Sequence, residues 1–141
     1  MTEYQDMEQA ILDRLTPTMT DLGARTVEVY SGQLTGDMRD AVKAFPAVFV
    51  SLLGMEFKSV NRTDRATLRV AVFVCARSLR GTEGRLGAQG LMEAVRSRLH
   101  RHAVLPGRWE PLRVERERVM YVDSGTGMAV CEARYMSETI L

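Results

Sequence analysis

The chain has 141 residues, a net charge of +1, and 45% hydrophobic against 26% charged residues, the balance of a globular domain rather than a disordered or fibrous chain. Its longest apolar run, Ala47 to Leu53, falls far short of the roughly 18 residues of a membrane span, and the acidic opening Thr2-Glu3-Tyr4-Gln5-Asp6 is unlike the basic start of a secretory leader. With no internal repeat, low-complexity tract or linker, residues 1–141 are expected to form a single domain that stays in the compartment where it is made.

Residues 2–22 are predicted to be helical, because Tyr4, Met7, Ile11, Leu15, Met19 and Leu22 recur at three- and four-residue steps. Pro17 interrupts this pattern: either the chain kinks there, or Thr16-Pro17 opens a second short helix that Gly23 ends. Arg25 to Ser31 alternates as a half-buried strand. Gly32 to Ala44 reads as a loop with a short helix over Asp37 to Lys43. After Pro46 comes a strand, Ala47 to Leu53, closed by Gly54; it is apolar on both sides, so both faces of the sheet should be covered there. Polar residues 56–64 read as a connection to a long strand, Arg65 to Arg77, whose clean alternation predicts one buried and one wet face.

A charged loop, Ser78 to Arg85, then leads to a helix over Leu86 to His102 with Ala88, Leu91, Met92, Val95 and Leu99 as its buried stripe. Two last strands, roughly 111–123 and 127–138, flank Ser124-Gly125-Thr126-Gly127 as a long antiparallel hairpin. The order implies an α+β fold, a mostly antiparallel sheet with helices packed on one face.

Reacting groups are hard to find. The glycines of Arg80-Gly81-Thr82-Glu83-Gly84-Arg85-Leu86-Gly87 match neither dinucleotide nor phosphate-loop spacing, which leaves a flexible surface loop. His100 and His102, the only histidines, point apart on a helix and cannot share a metal. Cys75 and Cys131 lack a CxxC spacing and sit in apolar runs, as buried small hydrophobes do. The acid pairs Asp37/Asp40 and Glu115/Glu117 fall on surface-type segments. No enzyme, cofactor or metal site is expected.

Charge is unevenly spread. Residues 1–55 carry eight acids against four bases and residues 56–118 seven against fourteen, a separation that suits head-to-tail contacts between identical subunits. In a strand, Arg113-Val114-Glu115-Arg116-Glu117-Arg118 puts Glu115 and Glu117 on one face and Arg116 and Arg118 on the other. Two readings stand side by side: the exposed half of a hairpin, or an arm that projects to pair with a neighbour.

Several segments together resemble the tail-terminator-like proteins of Mu-like phages and prophages, related to Gp37 of phage Mu. They are the helix Met7-Glu8-Gln9-Ala10-Ile11-Leu12-Asp13-Arg14-Leu15, the strand Phe45-Pro46-Ala47-Val48-Phe49-Val50 and the strand ending in Arg77 with its Arg80-Gly81 loop. The helix Gly87 to Leu99 completes the set, with Gln89-Gly90 departing from the aromatic and small residue expected there. The resemblance implies a virion structural protein that assembles in the host cytoplasm and ends up in the tail. It would form a ring, expected to be hexameric, that caps the tail tube (and a sheath, in contractile tails) and meets the head–tail connector. No membrane partner is expected, and the lack of surface aromatics among the bases of the middle segment disfavours a nucleic-acid partner. The residues assigned to subunit or tube contacts are Lys58, Arg62, Arg65, Arg80, Glu83, Arg85, Glu115, Arg116, Glu117 and Arg118. Alternatives are a head–tail joining or tail-completion protein of the neck, a small ligand-binding α+β dimer, and a nucleic-acid binder drawing on the basic middle segment.

Overall fold

The computed structural model describes residues 2–35 and 41–141. Helix α1 (Glu3–Asp21) opens on a capping box: the Thr2 hydroxyl accepts from the Gln5 amide, and the Gln5 side chain accepts from the Thr2 amide. Thr2 and Gln5 carry that signature in the sequence. Pro17 starts no second helix but sits inside one continuous helix. It lies on the exposed side, while Met7, Ile11, Leu15 and Met19 on either side of it are fully buried and hold the axis through the missing hydrogen bond.

Strand β1 (Thr26–Val29) follows, then a single 3₁₀ turn, Val42–Ala44; the rest of the helix expected over Asp37 to Lys43, and the Asp37/Asp40 pair, lie outside the described residues. Strand β2 (Ala47–Val60) does not stop at Gly54. A bulge between Leu52 and Gly54, with Gly54 at φ 145°, lets the strand bend and continue. It pairs with β3 (Thr63–Ala76) through a two-residue turn in which Asn61 and Arg62 both take left-handed backbone, φ 51° and 65°. That is the twist a tight hairpin needs. The polar stretch 56–64 is therefore the far end of a hairpin rather than a connection.

Two short strands, β4 (Gly81–Thr82) and β5 (Arg85–Leu86), pair with each other. They precede helix α2 (Ala88–Leu99), which ends three residues before the predicted His102 because His100 turns extended, ψ 126°, with Arg101 left-handed after it, φ 64°. Strands β6 (Arg113–Val122) and β7 (Ala129–Ile140) form the last hairpin. The five-stranded sheet runs β1-β2-β3-β7-β6, parallel only between β1 and β2. The expected α+β fold with a mostly antiparallel sheet is the one observed.

Both helices pack on the same face. The main core joins the α1 stripe and Leu91, Val95 and Leu99 of α2 to Val48, Val50, Leu68, Val70, Val72, Cys131 and Tyr135 of the sheet. A second, smaller core lies on the opposite face, where Tyr30, Leu34, Ala41 and Phe45 cover Phe49, Phe73, Cys75 and Val130. Tyr30 stands 5.0 Å from the Phe73 ring. Both faces of β2 are thus covered at its start, as its sequence predicts. The wet face expected of β3 is wet only over half its length: Ala71 and Cys75 are buried, while Thr67 and Arg69 are half-exposed.

Candidate interaction surface

The half of the second face that the described residues leave open is lined by charge, contributed by β2, β3, β6 and β7. Along β7, alternation turns Ala133, Tyr135 and Ser137 to the helices and Glu132, Arg134, Met136 and Glu138 outward. Glu132 is the centre of this surface. Its side chain is only 4% exposed, and its Oε1 receives Arg118 at 3.0 Å, Arg134 at 3.2 Å and Arg116 at 3.5 Å. The three arginine side chains stay 37–48% exposed, so they bury the carboxylate while themselves remaining partly in water.

Two further pairings continue the lattice. Arg69 binds Glu56 at 2.9 Å and Glu115 at 3.3 Å, and Glu138 lies 3.3 Å from Arg65 and 3.7 Å from Arg113. The carboxylate of Glu115, and then that of Glu56, holds the Arg69 guanidinium above its ordinary value. At exposed positions such pairs contribute little stability individually, so the lattice fixes a pattern of charge more than it holds the fold.

The sequence-assigned residues do not form one patch. Lys58, Arg62 and Arg65 sit at the tip of the β2–β3 hairpin, where residues 56–65 are exposed. Arg80, Glu83 and Arg85 lie in or beside the β4–β5 hairpin, at the other end of the sheet. Gly81 and Gly87 there meet a packing need rather than looseness: a Cβ on Gly87 would fall 2.2 Å from the Gly81 nitrogen. Next to this hairpin a groove of about 610 Å³ is lined by Asp21, Arg25, Phe45, Arg77, Arg85 and Leu86, among others.

Glu115, Arg116 and Arg118 share the open face, but Glu117 does not stand with Glu115. A bulge between Val114 and Arg116 turns Glu117 to the helix side, where Arg96 of α2 binds it at 3.0 Å. Strand β6 also stays paired to β7 along its length, so it is an edge strand rather than a free arm. Beyond a second bulge, Val119, Met120, Tyr121 and Val122 are each 44–46% exposed. Sequence reasoning missed Glu132 and Arg134; the signal was a charge at Glu132, Arg134 and Glu138, every second or fourth residue of an otherwise apolar strand.

Burial pushes the Cys75 thiol up to about 12, and the Tyr135 hydroxyl is likewise raised by burial. Cys75 and Cys131 are buried and unbonded, on opposite faces of the sheet. The His100 Nδ1 accepts the Val114 amide at 3.1 Å and fastens α2 to β6. Among the described residues no three His, Cys, Asp or Glu side chains converge as metal ligands, and no helix is long and apolar enough to cross a membrane.

The family model described as "Bacteriophage Mu, Gp37" matches residues 4–135. No curated protein matches the sequence. A solved chain from the "Virion of native gene transfer agent (GTA) particle" superposes with a TM-score of 0.51 at 19% identity, covering 98% of this chain and 91% of its own. At that identity the likeness is one of fold.

Proposed function

The chain belongs to the bacteriophage Mu Gp37 family, which places it among phage structural proteins, and we propose that it is a tail terminator. Identical copies close into a ring, six on the family pattern, that seats on the last ring of the tail tube, stops its growth and presents a surface to the head–tail connector. The family match over residues 4–135 carries this reading. The fold shared with a virion protein agrees with it, as does a surface built of salt-bridged side chains. Heterologous contacts that close give rings, and a ring stacked on a tube end blocks further addition.

The test is tube growth. Purified tail-tube protein from the same genome is allowed to polymerise with and without the chain, and tube lengths and ends are measured by electron microscopy. The reading expects shorter tubes with ring density at one end. Tubes of unchanged length with bare ends would rule it out. A head–tail joining role would instead show binding to the connector and none to the tube.

A small ligand-binding role draws on the 610 Å³ groove with its three arginines. It requires a metabolite to bind there with measurable heat and to leave tube growth unaffected.

A further inference from the structure

We propose that copies of this chain dock edge to edge, the arginine-crowned β6–β7 edge of one against the acidic α1 flank of the next. This rests on the ring reading above and names its two surfaces.

The first surface is short of negative charge. Arg116, Arg118 and Arg134 converge on the one carboxylate of Glu132, which leaves two positive charges uncompensated and several N–H groups free to bind. On the same strand Val119, Met120, Tyr121 and Val122 are 44–46% exposed. Contiguous apolar exposure beside arginines is the composition of a protein interface, where Tyr, Met and Arg are enriched. The contact is made by side chains, because the two bulges of β6 and its charged flank spoil the edge for strand pairing.

The second surface is on the opposite edge. Strand β1 lies at the far side of the sheet from β6, and α1 packs over β1 and β2. Asp13 is exposed opposite the buried stripe of α1 and accepts from Gln9 at 2.7 Å, and Glu8 stands at the margin of that stripe. Neither is in an ion pair among the described residues. Burial raises the Glu8 carboxyl, so a cation placed against it would be welcome. Exposed Glu28 and Val29 of β1 continue the flank.

A nucleic acid fits the arginine edge poorly, since Glu56, Glu115, Glu132 and Glu138 stand among the arginines and would repel phosphates. A second copy brings the matching acids itself. Opposite signs on opposite edges make the contact heterologous, so it repeats in one direction, as a closing ring needs.

Reversing each edge on a separate chain tests this. Glu8→Lys with Asp13→Lys makes both edges positive; Arg113→Glu with Arg116→Glu makes both negative, while Arg118 and Arg134 still hold Glu132. Sedimentation at low salt should show each folded variant dissociating at least about ten-fold more readily than wild type. An equimolar mixture should restore the oligomer with alternating chains, and added salt should weaken it.

Wild-type chain that stays monomeric at high concentration overturns the proposal. So does a folded variant that keeps the wild-type oligomer, or a mixture that stays apart. Should the arginine variant fail to fold by circular dichroism, the α1 variant decides alone, since its substitutions are at the helix surface. Failure here with tubes still capped would sink the edges and leave the terminator reading intact. Intact edges with uncapped tubes would do the reverse.

Discussion

Replacing Glu132 by glutamine keeps an oxygen in front of three guanidiniums and removes its charge. In the native protein that oxygen receives Arg118 at 3.0 Å and Arg134 at 3.2 Å, with Arg116 at 3.5 Å. The arginines stay charged, so the substitution removes the ionic part of three partly exposed pairs, each worth about 0.2–1 kcal/mol. That is about 0.6–3 kcal/mol together, and the three arginines then repel one another without a counter-ion. Their side chains are 37–48% exposed while Glu132 is buried, and a loss of about 2 kcal/mol is expected.

At this chain length that corresponds to a fall in Tm of about 6–8 °C. Thermal and urea unfolding followed by circular dichroism measure it, with Arg116→Gln, the longest of the three contacts, as a control expected to lose under about 1 kcal/mol. A Glu132→Gln protein that melts within about 1 °C of wild type would refute the reasoning. The cluster would then be surface decoration.

Two further outcomes follow from the local geometry. Arg62→Gly should leave stability unchanged or raise it by up to about 1 kcal/mol in urea unfolding, because Arg62 is held at φ 65°, where a side chain is strained; a clear loss would mean the Arg62 side chain holds the turn. The Glu3 carboxyl is lowered by the hydrogen bond from Trp109 at 2.7 Å and then by that from Arg108 at 2.6 Å. Its contribution is therefore complete above the ordinary carboxylate value and is lost as pH falls through its lower folded value, so the margin of wild type over Glu3→Gln should be widest at neutral pH and narrow on acidification. A gap that stays constant on acidification would contradict it.

Much of the fold was legible because the main core is written as period. Met7, Ile11, Leu15 and Met19 at helical spacing, and Leu68, Val70, Val72 and Val74 at strand spacing, each mark a single buried face. What misled was punctuation. Gly54 and the polar run after it look like a strand end, but glycine at positive φ serves a bulge as well as a stop, and an exposed hairpin needs no apolar face to persist once its roots are anchored. Pro17 looked like a break, yet tertiary burial of the stripe around it outweighs one missing bond. The charged surface was half legible: Arg116 and Arg118 were visible as charges, but the bulge that parts Glu115 from Glu117 shifts the period by one and leaves no mark in the residue types. Glu132 was hidden because a charge in an apolar strand reads as exposed until its neighbours are known.

The two cores differ in how the chain must travel to close them. The small one joins Tyr30, Leu34, Ala41 and Phe45 to Phe49 of β2, which follows at once, but it also needs Cys75 of β3 and Val130 of β7, so only its first part closes locally. The large one needs Met7 and Tyr135, near opposite ends of the polypeptide, to meet across the sheet. Hydrogen exchange is therefore expected to reach the amides beneath Tyr30 and Phe45 before those of Val70 and Val72, which lie under both helices. The smaller layer would then loosen first, with the larger one still closed.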